Sequence, residues 1–380
     1  MINNKATIFI TNYLASLLLL LFFISENIGK ISIYYFHENS MTQIIVKGLA
    51  LCLFTISLVF SKDIKLKLLF CAILGCFLFG QLFIPNSFQI DIISLFFKYL
   101  FLLLLLFYFK EKPLNEKARD ILFKTFEYII TLNTVLVFIG FLFSIHFLKS
   151  YTGDRFGYNG LFVNSSTGSY IYIITLFYFL NKYKENFIVK PMAIFILLGS
   201  LLIGTKAVYV SVFFILVYYL FAFTKNKKII IGISLLLIIL IIFGYLNFFQ
   251  FGVFNDIRVN DGFLTTLLSF RNYNLMNDTL PFLKDNWHLT NYVIGGINDF
   301  SLKSEMGFID LLFFFGIIGA VVYLITLSKV FLTFKLNKIS TLFLFVVISI
   351  IFIAGNFFTY SNIAIYLLII RESFKEDSRI

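Results

Sequence analysis

The chain has 380 residues, of which 60% are hydrophobic and 13% charged, where an ordinary soluble domain carries about a quarter charged residues. With a mean hydropathy of +0.93, this excludes a soluble globular protein. The net charge of +11 could serve a nucleic acid, but the basic residues sit in short clusters between apolar runs. That placement reads as membrane orientation, and no nucleic-acid partner is expected.

Apolar runs of about twenty residues recur along the whole chain, the length a helix needs to cross ~30 Å of hydrocarbon. They do not alternate apolar and polar residues, so they are helices and not barrel strands. The expected fold is all-α, a single membrane domain over 1–380 with about twelve transmembrane helices. In chain order the runs lie at 6–25, 43–60, 68–84, 90–109, 121–147, 161–180, 191–204, 207–224, 229–250, 306–330, 341–357 and 359–370. The first has one basic residue before it and no small-x-small site after it, so it reads as a span and not as a cleaved signal. The last is short and reads as a tilted or re-entrant segment. The 53 Phe residues accompany many Ile, Lys and Asn, all with AT-rich codons, and base composition accounts for them. Cys52, Cys71 and Cys76 fall in predicted spans, which argues against a disulfide framework.

Alternate loops are basic: Lys62, Lys65 and Lys67; Lys110, Lys112, Lys117 and Arg119; Lys182, Lys184 and Lys190; Lys225, Lys227 and Lys228; Lys335 and Lys338; and a tail with Arg371, Lys375 and Arg379. The positive-inside rule puts these loops and both termini in the cytoplasm. Four notable segments then face outward: 26–42, 148–160, the tight turn Gly204-Thr205-Lys206, and a large, partly helical loop at 251–305. Loops this long are usually functional or disordered. This one holds Trp287, Gly295-Gly296 and mixed charges, which predicts that it folds. No inverted repeat or matched pair of broken helices marks a secondary transporter.

Chemistry is expected where basic residues stand outside against the charge rule. Arg155 lies in the glycine-rich Gly153-Asp154-Arg155-Phe156-Gly157-Tyr158-Asn159-Gly160, where the bland alternative is a surface pair with Asp154. Lys206 joins two spans and either snorkels or presents a fixed cation suited to phosphate. Arg271 sits in Leu268-Ser269-Phe270-Arg271-Asn272-Tyr273-Asn274, which reads as a helix. Its planar fork suits phosphate or carboxylate, and Asp278 is an alternative partner. Arg258, between Asp256 and Asp261, is a weaker candidate. Glu305 opens the tenth span and could act as a general base or merely favour the helix dipole. Asp310 lies deeper in that span, and His288 follows Trp287; both are secondary acid–base candidates. There is no His/Cys/Asp cluster at metal spacing and no Gly-rich nucleotide loop, so neither metal nor other cofactor is expected.

These stretches resemble the bacterial O-antigen polymerase and O-antigen ligase superfamily. Arg155-Phe156-Gly157 through Asn164 is similar to its outer-loop pattern of Arg, Gly and Asn before a span. Leu202-Ile203-Gly204-Thr205-Lys206-Ala207 is similar to its span–turn–span signature. Ser269-Phe270-Arg271, Asn291 through Gly296, Glu305 and Phe315-Gly316-Ile317-Ile318-Gly319 resemble its large periplasmic loop and the helix that follows. The resemblance covers roughly residues 150–330. Lys206 stands where many members have Arg, and Glu305 near where ligases tend to have His.

The resemblance implies a metal-independent glycosyltransferase of the bacterial inner membrane. It would polymerise lipid-linked oligosaccharide repeat units of a lipopolysaccharide O-antigen or a capsule. The donor would be undecaprenyl-pyrophosphate-linked, and membrane lipid, a chain-length regulator and a flippase are implied as partners. It assigns Arg155, Lys206, Arg271 and Arg258 to the pyrophosphate, with Arg271 stabilising the leaving group and Glu305 taking or orienting the acceptor proton. The alternatives are an O-antigen ligase or related oligosaccharyltransferase and, in a different class, a lipid-linked sugar transporter or flippase.

Overall fold

The structure, a computed structural model, describes residues 2–38, 40–85, 88–151, 153, 155–224, 227–250 and 252–377. Asp154, Lys225 and Arg379 lie outside the described residues. The chain forms α1 (Ile2–Ile31), α2 (Met41–Phe60), α3 (Ile64–Leu82), α4 (Ile90–Glu111), α5 (Glu116–Leu142), α6 (Ser165–Tyr183), α7 (Pro191–Leu201), α8 (Lys206–Phe223) and α9 (Lys227–Phe249). Five short helices follow: α10 (Val253–Asp261), α11 (Phe263–Leu268), α12 (Arg271–Tyr273), α13 (Leu280–Asn286) and α14 (Leu289–Ile294). The last three are α15 (Gly307–Phe331), α16 (Lys338–Ile353) and α17 (Ile363–Asp377). Among the described residues there is no strand, only an isolated bridge between Lys149 and Tyr158.

Each of the twelve apolar runs falls on a helix. Eight of these helices are long and apolar enough to cross a membrane, namely α1 to α5, α8, α9 and α15; α7 and α16 are shorter apolar helices. Local chemistry sets their ends. Asp63, Asn115 and Asn337 accept backbone N–H groups at the starts of α3, α5 and α16, which satisfies donors that the first turn leaves open. Pro191 at the start of α7 fits because its missing N–H would be unpaired there anyway.

The helices differ sharply in what they touch. α6 is buried from Thr167 to Asn181, and α17 from Ile363 to Phe374. They pack on each other, α17 also packs on α4, and the three form the centre of the bundle. α9, by contrast, is almost wholly exposed, which is the behaviour of an apolar helix facing lipid.

The last helix departs from the sequence expectation. It does not end near 370 in a free basic tail but runs to Asp377. Arg371 is 0% exposed. Its Nη1 donates to the Leu106 carbonyl on α4 and the Val330 carbonyl on α15, each at 2.9 Å, and its Nη2 lies 3.0 Å from Glu372. Its Nε donates to Glu372 Oε1 at 3.1 Å, and a buried guanidinium is tolerable only when its charge and most of its donors are met in this way. Arg371 therefore ties three helices together and is not a solvated charge.

One crossing of backbones fixes the short-helix segment onto the bundle. Gly295 (φ 78°) lies so close to Gly316 (φ 66°) that a Cβ on Gly295 would sit 2.5 Å from the Gly316 nitrogen, and a Cβ on Gly316 would sit 2.4 Å from the Gly295 nitrogen. Gly80 on α3 approaches from the other side, with room for no Cβ beside the Ile294 carbonyl at 2.5 Å. Gly316 also interrupts the helical backbone of α15. Only glycine permits this combination of positive φ and contact. Gly316→Val is therefore expected to cost about 3 kcal/mol or more. Thermal unfolding in detergent checks it; an unchanged midpoint would refute the crossing.

Candidate functional site

Three cations predicted from separate stretches meet at one end of the helices. The Arg155 loop is docked by its backbone on the turn between α7 and α8. The Tyr158 N–H donates to the Leu202 carbonyl at 2.7 Å, and the Ser150 hydroxyl to the Ile203 carbonyl at 3.0 Å. Gly204 (φ 74°) and Gly157 make the approach possible: a Cβ on Gly204 would lie 2.2 Å from the Phe156 carbonyl oxygen. Thr205 then pairs hydroxyls with Ser169 of α6 at 2.7 Å, which fixes the turn on the centre of the bundle. Arg155 and Lys206 are thereby brought over a common ring. The Phe254 centroid lies 5.0 Å from the Arg155 guanidinium carbon and 4.2 Å from the Lys206 Nζ, and Tyr151 lies 3.9 Å from the same guanidinium.

Lys206 also reaches the end of α11. Its Nζ donates to the carbonyls of Thr266 and Leu267 and to the Ser269 hydroxyl. Arg271 bonds the next carbonyl, with Nη1 donating to Leu268 at 3.0 Å. The last carbonyls of a helix have no partner inside it and carry partial negative charge, so cations belong there. Lys206 thus spends its three donors on the protein and contributes its charge, while Arg271 keeps part of its fork open.

The stretch 268–274 is not one helix. α11 stops at Leu268, Ser269 (φ 55°) and Phe270 (φ 66°) turn left-handed, and α12 starts at Arg271. Two successive non-glycine residues in that region are costly, and they swing Arg271 back toward Lys206. Glu305 (φ 60°) is left-handed as well. Its turn is locked by Asp310, whose Oδ1 accepts both the Ser304 N–H at 2.7 Å and the Ser304 hydroxyl at 2.8 Å. Gly355 presses on the other side: a Cβ there would lie 2.3 Å from the Glu305 carbonyl oxygen.

The result is an Arg271 Nε to Glu305 Oε2 separation of 4.0 Å. That is an ion-pair distance but too long for a hydrogen bond. The Nε atoms of Arg271 and Arg155 are both buried and have no hydrogen-bond partner among the described residues. Burial pulls the Arg155 guanidinium below its usual pKa, and the Arg271 charge adds to the lowering. The charges of Arg155 and Arg271 also reach Lys206. Three like charges held together with one carboxylate, and with open guanidinium donors, suit an anionic ligand.

The other predicted residues fall as follows. Arg258 lies one turn beyond Phe254 on α10, on the same side of that helix, and donates to Asn255 at 3.0 Å. Asp310 holds the Glu305 turn through its bonds to Ser304. His288 caps α14: its side chain accepts from the Asn291 backbone, and the Asn291 side chain accepts from the His288 N–H. Lys303, just before Glu305, donates to Asn356 at 2.9 Å; burial lowers its pKa from the ordinary lysine value, against the charges of Glu305 and Asp310. Tyr151, Phe254 and Tyr360, the last close enough to Arg271 and Glu305 for their charges to act on its hydroxyl, were not foreseen. Nothing in the sequence separates Phe254 from the other phenylalanines. Among the described residues no group of three His, Cys, Asp or Glu is placed to hold a metal ion.

Fold and site together define a helical membrane protein with a cation-rich site at one end of its helices. No protein-family model, curated protein or solved structure matches the chain. The resemblance noted above therefore rests on its motifs alone.

Lys206→Met removes the hydrogen bonds that dock α11. The docking is expected to weaken by about 1–3 kcal/mol, read as faster amide exchange over 263–270, with Lys206→Arg restoring part of the protection. Unchanged exchange in Lys206→Met would show that α11 is held by other contacts.

Proposed function

We propose that the chain polymerises lipid-linked oligosaccharide repeat units by glycosyl transfer from an undecaprenyl pyrophosphate donor at the outer face of a bacterial inner membrane. In this reading the twelve helices span the membrane, both termini are cytoplasmic, and 251–305 lies outside. The observation that carries it is the meeting of Arg155, Lys206 and Arg271 beside Glu305, with buried guanidinium nitrogens still open.

The chemistry follows from those groups. Breaking the bond between the sugar and the pyrophosphate leaves negative charge on the departing oxygens. Fixed cations in a partly dehydrated site stabilise that charge without reorganising. Arg271 supplies the open fork, Arg155 a second guanidinium, and Lys206 a fixed charge. Glu305, partly exposed and held by a strained turn, orients the acceptor hydroxyl and takes its proton. A ligase that moves the finished glycan to another acceptor shares donor and leaving group. A flippase would need polar groups lining a passage. Lys30 of α1 and Asn133 of α5 instead bond loop backbone: Lys30 the Gly160 carbonyl, and Asn133 the Asn159 carbonyl and the Leu161 N–H.

Arg271→Ala is expected to abolish long-chain polysaccharide on a gel while protein level holds, and Glu305→Gln to be nearly as severe. Normal polymer in Arg271→Ala would sink the assignment. In a deletion strain, single repeats on the acceptor mean a missing polymerase, and long chains left on the lipid carrier mean a missing ligase.

A further inference from the structure

α1 carries two ionisable side chains one turn apart, Glu26 and Lys30, that are only 3% and 7% exposed. Ionised groups inside an apolar helix are costly unless every polar atom finds a partner. Here the partners are loops. The Glu26 Oε1 accepts the Val163 N–H at 3.3 Å, and its Oε2 accepts the Asn362 side-chain amide at 2.6 Å. The Lys30 Nζ donates to the Asn159 side chain at 2.8 Å and to the Gly160 carbonyl at 2.5 Å. The charges of Lys47 and Lys30 also act on Glu26.

Those partners belong to the two loops that frame the candidate site. Asn159, Gly160 and Val163 lie on the same loop as Arg155, between it and the start of α6. Asn362 stands two residues after Tyr360, which lies close enough to Arg271 and Glu305 for their charges to act on its hydroxyl. Asn133 of α5 completes the seat: its amide donates to the Asn159 carbonyl at 3.2 Å, and its oxygen accepts the Leu161 N–H at 2.7 Å. Gly160 (φ 64°) fits because a Cβ there would lie 2.4 Å from that oxygen.

We infer that Glu26 and Lys30 are positioning residues for the anion site, a buried clamp that holds the Arg155 loop and the Tyr360 turn in register so that Arg155 faces Lys206 and Arg271. A merely space-filling role needs no charge, since apolar side chains of similar volume pack helices as well or better. The inference rests on reading the three cations as an anion site, and its test separates the two.

The full chain in detergent micelles is titrated with farnesyl pyrophosphate, and amide exchange is followed at Leu161 and Val163. Glu26→Ala and Lys30→Met are compared with Asn181→Ala, which removes a buried bond to Ser373 at the opposite end of α6. Glu26→Ala is expected to weaken binding by about tenfold and to speed exchange at both amides, with Asn181→Ala doing neither. If Glu26 acts through Arg155, the double variant Glu26→Ala/Arg155→Ala binds no more weakly than Arg155→Ala alone. Additive losses, or exchange at Leu161 and Val163 unchanged in Glu26→Ala, would overturn the clamp. Should the unaltered chain not bind farnesyl pyrophosphate, the functional reading fails, and the exchange arm alone decides the clamp.

Discussion

The candidate site depends on the open carbonyl end of α11. Three successive carbonyls, Thr266, Leu267 and Leu268, face away from their own helix and take donors from Lys206 and Arg271. One of those cations starts a long apolar helix and the other stands in the segment of short helices. Their shared hold on α11 draws that segment onto the bundle and sets two like charges side by side. Coulomb repulsion opposes the arrangement, and the partial negative charge of the carbonyls offsets it only in part. A site assembled this way is left with an appetite for a further anion.

Backbone contact, more than side-chain contact, supplies the remaining precision. Gly204 against Phe156 and Gly355 against Glu305 are approaches with no room for a Cβ, as is the crossing of Gly295, Gly316 and Gly80. Each brings a loop against a helix end at a distance set by covalent geometry, which varies little. The rotatable side chains then need only short reaches. Left-handed Ser269, Phe270 and Glu305 add local strain next to the two residues that form the ion pair. Strained backbone persists only where its surroundings over-determine it, and here the Asp310–Ser304 bonds and the α11 carbonyls do so.

The buried ionisable side chains fall into two groups. Arg371 at the heart of the bundle is bonded to helix carbonyls and to Glu372, and it fixes α17 against α4 and α15. Glu26 and Lys30, near the other end, bond loop atoms instead. The first group stabilises packing of helix on helix. The second transmits the position of α1 to the loops around the cations.

What the sequence determined by itself was the set of helices and the identity of the charged residues. Apolar runs of membrane length have one low-energy backbone solution, and that information is local. Arg155, Lys206, Arg271 and Glu305 were legible because they stood in polar turns between such runs. The tertiary structure alone decided how they meet. The break at Ser269 and Phe270 depends on Lys206 arriving from 63 residues away, so no local pattern announces it. Burial of Arg371 and of α17 depends on which helices surround them, and hydropathy cannot distinguish lipid from protein as the apolar neighbour. Phe254 gained its place under two cations by position alone. Glu26 went unread: it stands one residue past the first apolar run, in a segment expected to face outward, and its partners Val163 and Asn362 lie far along the chain, so only the fold brings them to it.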